Sequence, residues 1–149
     1  MSYYLDYLND NKNRQDHGLS PKPIDDGKLI EEIISQIKDL NNQHRDDSLH
    51  FLIHNTLPGS TSAASVKSIF LKQIILGTFV IDEISPTFAY ELLSHMRGGP
   101  SVGVLIDLAL SNNQIIAKQS ADVLKTQVFL YESDTNRLKK AYMDGNTVA

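Results

Sequence analysis

His50 and His54 stand four residues apart, the spacing that puts two imidazoles on one face of a helix where both could grip a metal ion. No third ligand shares that spacing. The metalloprotease pattern H-E-x-x-H needs a glutamate after its first histidine, whereas the string here reads His50-Phe51-Leu52-Ile53-His54 and supplies no general base. The expected reading is a pair of surface histidines beside a buried stripe of Leu49, Leu52 and Ile53, with His50 and His54 kept as the metal candidates of the chain. His17 and His44 fall in polar turns and are expected to be solvated.

A second chemical possibility lies in Arg97-Gly98-Gly99-Pro100-Ser101-Val102-Gly103, which opens a helix where free backbone N–H groups and the helix dipole can hold an anion. It has no P-loop lysine and does not follow a strand as a G-x-G-x-x-G fingerprint must. The preferred reading is a helix stop, a tight turn and a Ser101 cap. The neighbouring carboxylates Asp25/Asp26, Glu31/Glu32 and Asp46/Asp47 fall at helix starts, where they meet the dipole rather than converge on a substrate. No nucleophile with a base and an orienting partner can be read from spacing, so no catalytic residue and no metal site are assigned.

Composition narrows the chemistry further. The 149 residues include no cysteine, which removes a disulfide framework, a cysteine zinc finger, a thiol nucleophile and any iron–sulfur cluster held on the chain's own thiolates. With 14 basic and 18 acidic residues the formal charge is −4, the wrong sign for a phosphate backbone, so nucleic acid is not the expected partner. A 41% hydrophobic and 21% charged chain can bury a core, which excludes a disordered protein and points to one domain. The start, MSYYLDYLND, carries no secretory signature. The longest uncharged apolar-rich window, Gln73 to Ile81, is far short of the roughly 20 residues that cross a bilayer. A cytoplasmic protein without a membrane partner is expected.

The elements that must position these residues read as helices throughout. Tyr4, Leu5 and Leu8 mark a short first helix stopped at Gly18, and Ser20-Pro21-Lys22-Pro23 must be extended. Asp25 or Asp26 caps a helix with Leu29, Ile30, Ile33, Ile34, Ile37 and Leu40 on its core face. Leu49, Leu52, Ile53 and Thr56 carry the next as far as Pro58-Gly59. Ser60 or Ser62 caps a helix that buries Val66, Ile69, Phe70 and Ile74 and ends at Gly77. Thr78 to Ile81 is a buried connector rather than a strand. Ser85-Pro86 starts a helix with Phe88, Ala89, Leu92, Leu93 and Met96 inside, ended by Gly98-Gly99. A short helix from Ser101 to Leu110 follows, then a longer one through Ile115, Ile116, Ala121, Val123, Leu124 and Val128 into Tyr131. Asp134 caps a last one holding Leu138, Ala141 and Tyr142. About eight short helices with repeated stops predict an all-α domain of stacked antiparallel pairs, a solenoid-like superhelix.

Several strings are collinear with one family. Gly18-Leu19-Ser20-Pro21-Lys22-Pro23-Ile24-Asp25, Leu52-Ile53-His54-Asn55-Thr56-Leu57-Pro58-Gly59 and Ala64-Ser65-Val66-Lys67-Ser68-Ile69-Phe70-Leu71 come first. Ile84-Ser85-Pro86-Thr87-Phe88-Ala89-Tyr90-Glu91-Leu92-Leu93, the Met96-Arg97-Gly98-Gly99 turn and Leu105-Ile106-Asp107 follow. In order and spacing the set resembles the N-terminal HEAT-like helical domain of bacterial aconitase B, an aconitate hydratase, from about Tyr4 to Gly145. The resemblance implies a HEAT-like α-α superhelix over residues 1–149 as a single domain, with the catalytic domains absent. Those domains hold a [4Fe–4S] cluster on three cysteines in the family, and this chain would carry no cofactor of its own. It also implies a surface that helps wall a substrate channel and serves protein contact.

After the double glycine the family continues with tyrosine, asparagine and, two residues on, histidine, where this chain has Pro100, Ser101 and Gly103. Arg97, Gly98, Gly99 and Ser101 are therefore the expected interaction or channel turn, altered here. The resemblance also places the last helix of the domain at its start where Thr147-Val148-Ala149 stands, so a patch around Tyr142 and Val148 is expected to be exposed. Two readings follow: a non-catalytic interaction domain whose partner is a protein, either a second copy or the aconitase catalytic domains, and a piece of an intact aconitate hydratase.

Overall fold

The computed structural model describes residues 2–127, 132–146 and 148, and the side chains of Glu132 and Ser133 stand outside that description. Among the described residues the chain is all-helical. The helices are α1 (Tyr3–Asp16), α2 (Gly27–Lys38), α3 (Arg45–His50), α4 (Ser62–Ile75), α5 (Pro86–Met96), α6 (Gly99–Ala109), α7 (Gln114–Leu124) and α8 (Glu132–Met143), and a π-helical turn over Phe51–Asn55 extends α3. The Thr78 to Ile81 connector forms no strand, but it is not the buried segment expected: Thr78 and Val80 are exposed, Phe79 is half-buried and Ile81 alone is inside. The chain divides into two compact units, Met1–Leu57 with Thr61–Lys67, and Pro58–Ser60 with Ser68–Ala149.

In the first unit α2 packs against α1, α3 and the π-helical turn. Asp26 caps α2 by accepting from the Lys28 N–H at 2.9 Å, and Ile30, Ile33 and Ile37 are fully buried beneath it. Leu40 is exposed because the chain leaves the helix at an extended Asp39. On α1 the inward positions are Tyr4 and Tyr7, while Leu5 is exposed. The two tyrosines meet Phe51 edge to face, with ring centroids at 6.1 and 5.1 Å, and the His44 ring lies 5.0 Å from that of Tyr4. His44 is thereby half-buried rather than solvated.

The proline strap is extended as its residues require. Tyr7 Oη donates to the Lys22 carbonyl at 2.7 Å, and Ile24 exchanges backbone hydrogen bonds with Asn55 and Leu57, each 2.8 Å. The helix ahead of Pro58 widens into its π-helical turn and ends where Thr56 turns extended and its hydroxyl donates back to the Leu52 carbonyl at 2.9 Å. The cap of α4 is Thr61, whose Oγ1 accepts from the Ala64 N–H at 3.0 Å. Ser62 instead accepts from the Gly27 N–H at 2.8 Å, which ties the starts of α2 and α4 together.

In the second unit α6 packs against α5, α7 and α8. Ser85 Oγ accepts from the Phe88 N–H at 3.1 Å with Pro86 at the first helical position, as the sequence indicates. Asn113 Oδ1 accepts from the N–H groups of Ile115 and Ile116, both at 3.1 Å, and starts α7. Helix α7 stops at Leu124, short of the longer helix expected; Val128 and Tyr131 lie outside the described residues. Its buried residues are Ala117 and Ser120, while Ile115 is exposed. Asp134 lies inside α8 rather than ahead of it. On α4, Ile69 is 52% exposed because Lys67, Ser68, Phe70 and Leu71 occupy the inward positions. No helix among the described residues is long and apolar enough to cross a membrane.

Candidate functional site

The turn after α5 is built differently from a glycine stop. Arg97, not Gly98, takes the left-handed conformation (φ 47°, ψ 50°) that usually belongs to glycine. Gly98 is extended at φ −150°, which any residue adopts, and its lack of a side chain serves another purpose. A Cβ there would run into the Gly59 backbone, whose N–H donates to the Met96 carbonyl at 3.1 Å. Two loops distant in sequence are thus held backbone to backbone.

Ser101 is buried and closes the turn on itself. Its Oγ accepts from the Gly98 N–H at 3.2 Å and donates to the Gly98 carbonyl at 3.0 Å. Pro100 offers no N–H, so the start of α6 has fewer free donors than an anion cradle uses. Of the four turn residues, only Arg97 sends a long, exposed side chain outward. That side chain lines an open groove of about 510 Å³ between α5 and α7, together with Tyr90, Glu91, His95, Asp122 and Val123.

The wall of this groove is anchored from within. The Tyr90 hydroxyl lies 2.8 Å from Ser120 Oγ and donates to the Ile116 carbonyl at 3.3 Å, and burial pushes the phenol pKa up. Asp107 of α6 joins Lys72 of α4 at 3.4 Å and, on its other oxygen, Arg137 of α8. Neither link is visible in periodicity, because each depends on residues far apart in the chain.

His50 and His54 are both exposed, with ring centroids 4.8 Å apart. Among the described residues no three His, Asp or Glu side chains converge so as to hold a metal ion, so the pair stands without a third protein ligand. The [4Fe–4S] cluster that the resemblance brings with it does not fit this chain, which has no cysteine to bind it.

Lys67 is a charged group that the sequence reading passes over. It is 4% exposed, and among the described residues its ammonium reaches only the Ile53 carbonyl of the π-helical turn, at a long 3.4 Å. Burial without a carboxylate lowers its pKa to about 8. Among the described residues the Tyr4 hydroxyl is also enclosed without a hydrogen bond of normal geometry; burial, reinforced by the Asp47 charge, raises its pKa, and the neighbouring Ser48 hydroxyl opposes that rise. Tyr142 is 66% exposed, as expected. Val148 is half-buried and lines a shallow groove along α7 with Ile115 and Lys118.

Comparison with known proteins gives one consistent result. The chain matches the family described as Aconitate B N-terminal domain over residues 6–149. Aconitate hydratase B of Helicobacter pylori is 35% identical over 133 residues, covering 86% of this chain and 15% of the relative. The aconitate hydratase B of Synechocystis is 30% identical over 139 residues, 88% of this chain and 16% of the relative. That of Escherichia coli is 32% identical over 94 residues, 63% of this chain and 11% of the relative. The chain therefore spans about 15% of the length of the first of these relatives.

Proposed function

The chain belongs to the aconitate B N-terminal domain family, and from that membership we propose that it is a non-catalytic helical domain that binds protein in the cytoplasm. Its partner is a second copy of itself or the catalytic domains of an aconitate hydratase. The observation that carries this reading is the match itself: the similarity covers the N-terminal domain of proteins named aconitate hydratase B. Beside it stands a chain without a cysteine. Dehydrating a hydroxy acid such as citrate calls for a Lewis acid at the departing hydroxyl and a base opposite it.

Light scattering of the purified chain, alone and mixed with aconitate hydratase catalytic domains, tests the proposal. Mass that rises with concentration, or a stoichiometric complex with those domains, is expected. A strictly monomeric chain that leaves the catalytic domains unbound would overturn it. The names of the relatives favour a second reading, in which the chain serves as one part of an intact aconitate hydratase. A reading frame continuing beyond Ala149 into cluster-binding cysteines would select that alternative.

A further inference from the structure

His50 closes α3 and His54 lies in the π-helical turn that extends it, so the two histidines straddle the junction between two helical geometries. Both are exposed, and their ring centroids stand 4.8 Å apart. That separation is the one a shared ion needs. With metal–nitrogen bonds of about 2.0–2.1 Å and about 1.2 Å from nitrogen to ring centre, each centroid lies about 3.2 Å from the ion. Ligand angles between square and tetrahedral then hold the two centroids about 4.5–5.2 Å apart. An exposed imidazole turns about its Cβ–Cγ bond with its centre nearly in place, so a nitrogen of each ring can reach the common point without moving the backbone. Among the described residues no third His, Asp or Glu converges there, which leaves the remaining coordination positions open to water or an added ligand.

We infer that His50 and His54 form a two-histidine surface chelate for one divalent transition-metal ion of the class that imidazole prefers, Cu2+ most tightly, with Ni2+ and Zn2+ below it. Mg2+ and Ca2+ take oxygen ligands and do not compete for two imidazoles. The ion has a structural consequence, because its ligands come from either side of the junction. The carbonyl of Asn55, next to His54, accepts from the Ile24 N–H at 2.8 Å, and the Ile24 carbonyl accepts from the Leu57 N–H at 2.8 Å. An ion gripped by both rings therefore clamps the turn to which the proline strap is bonded, wholly within the first unit. The inference stands apart from the protein-binding proposal, since it needs no partner chain.

The test titrates Cu2+ into the untagged full chain, first stripped of metal by a chelator, and follows binding by calorimetry. One ion per chain is expected, with a dissociation constant on the order of 10 µM, and electron paramagnetic resonance should show a tetragonal ion with two nitrogen ligands. His50→Ala and His54→Ala each leave a single imidazole and should weaken binding at least about tenfold, because the second contact is no longer intramolecular. His17→Ala and His95→Ala, which change exposed histidines elsewhere, should leave it unaltered. The clamp is read separately with Zn2+. At about ten times its dissociation constant, Zn2+ should slow hydrogen exchange at the Ile24 and Leu57 amides by about tenfold, and His50→Ala should abolish the slowing. No saturable Cu2+ binding below about 1 mM, binding that both alanine variants leave unchanged, or exchange at those two amides that Zn2+ does not slow would overturn the inference.

Discussion

In the first unit the Lys67 ammonium, the Tyr4 hydroxyl and the Asn11 amide are enclosed with incomplete partners. In the second, the Tyr90 hydroxyl, the Ser101 hydroxyl and the Asp107 carboxylate are each bonded on two sides, and Gln127 Oε1 is the exception. Burying a polar group without a partner lowers stability, whereas a doubly bonded one fixes the elements around it. The first unit therefore owes its stability to the isoleucine face of α2 and holds a reserve that substitution can release. The second uses polar pairs to set α5, α6 and α7 and leaves the charged side chains of Glu91, His95 and Arg97 exposed at the groove.

The contrast can be broken most severely at the apolar face of the first unit. Ile33 is fully buried, and Ile33→Ala should destabilise the chain by about 4 kcal/mol in denaturant unfolding. A loss as small as that of a surface change would show that the α2 face does not carry the unit.

Lys67→Met should move stability the other way. The folded pKa of about 8 lies below the ordinary 10.5, so between those pH values the folded chain holds fewer protons than the unfolded one. Stability from this group therefore rises with pH through that window, and below pH 8 the burial penalty is fully present. Relieving it should add about 3 kcal/mol at neutral pH and flatten the rise between pH 8 and 10.5. Unfolding midpoints followed across pH would expose an error if wild type shows no such rise.

Three smaller effects sharpen the contrast. Gly98→Ala pushes a Cβ into the Gly59 backbone and should cost about 2 kcal/mol, with the second unit losing protection in hydrogen exchange before the first. Tyr4→Phe removes an unsatisfied buried hydroxyl and should raise stability by about 1 kcal/mol, whereas Tyr90→Phe breaks a satisfied pair and should lower it. Equal signs for the two tyrosines in thermal unfolding would erase the distinction between the units. Arg97→Gly should stabilise by about 0.5 kcal/mol, since the left-handed backbone suits glycine. A destabilised variant would mean that the arginine side chain holds the turn.

Much of this architecture is legible in sequence where local chemistry decides it. The α2 stripe, the Ser85-Pro86 start and the Gly77 stop, with φ 76°, follow from spacing and caps alone. The family is legible too: the collinear strings point to it, and the match over residues 6–149 agrees. What escapes is decided by tertiary competition. Tyrosines rather than leucines face inward on α1 because rings from α1 and Phe51 pack together. Lys67 and Ser68 take inward places on α4 that periodicity assigns to apolar residues. The groove could not be foreseen, since α5 and α7 are brought together only by the path of residues 97–113 through α6 and its loops, and spacing says nothing about that path.

The central claim, that this chain acts by binding and not by catalysis, is tested most directly by assaying the purified chain for citrate-to-isocitrate conversion after reconstitution with iron and sulfide. The account predicts no turnover above a buffer blank. Sustained conversion that scales with chain concentration and is absent from an unfolded control would contradict it.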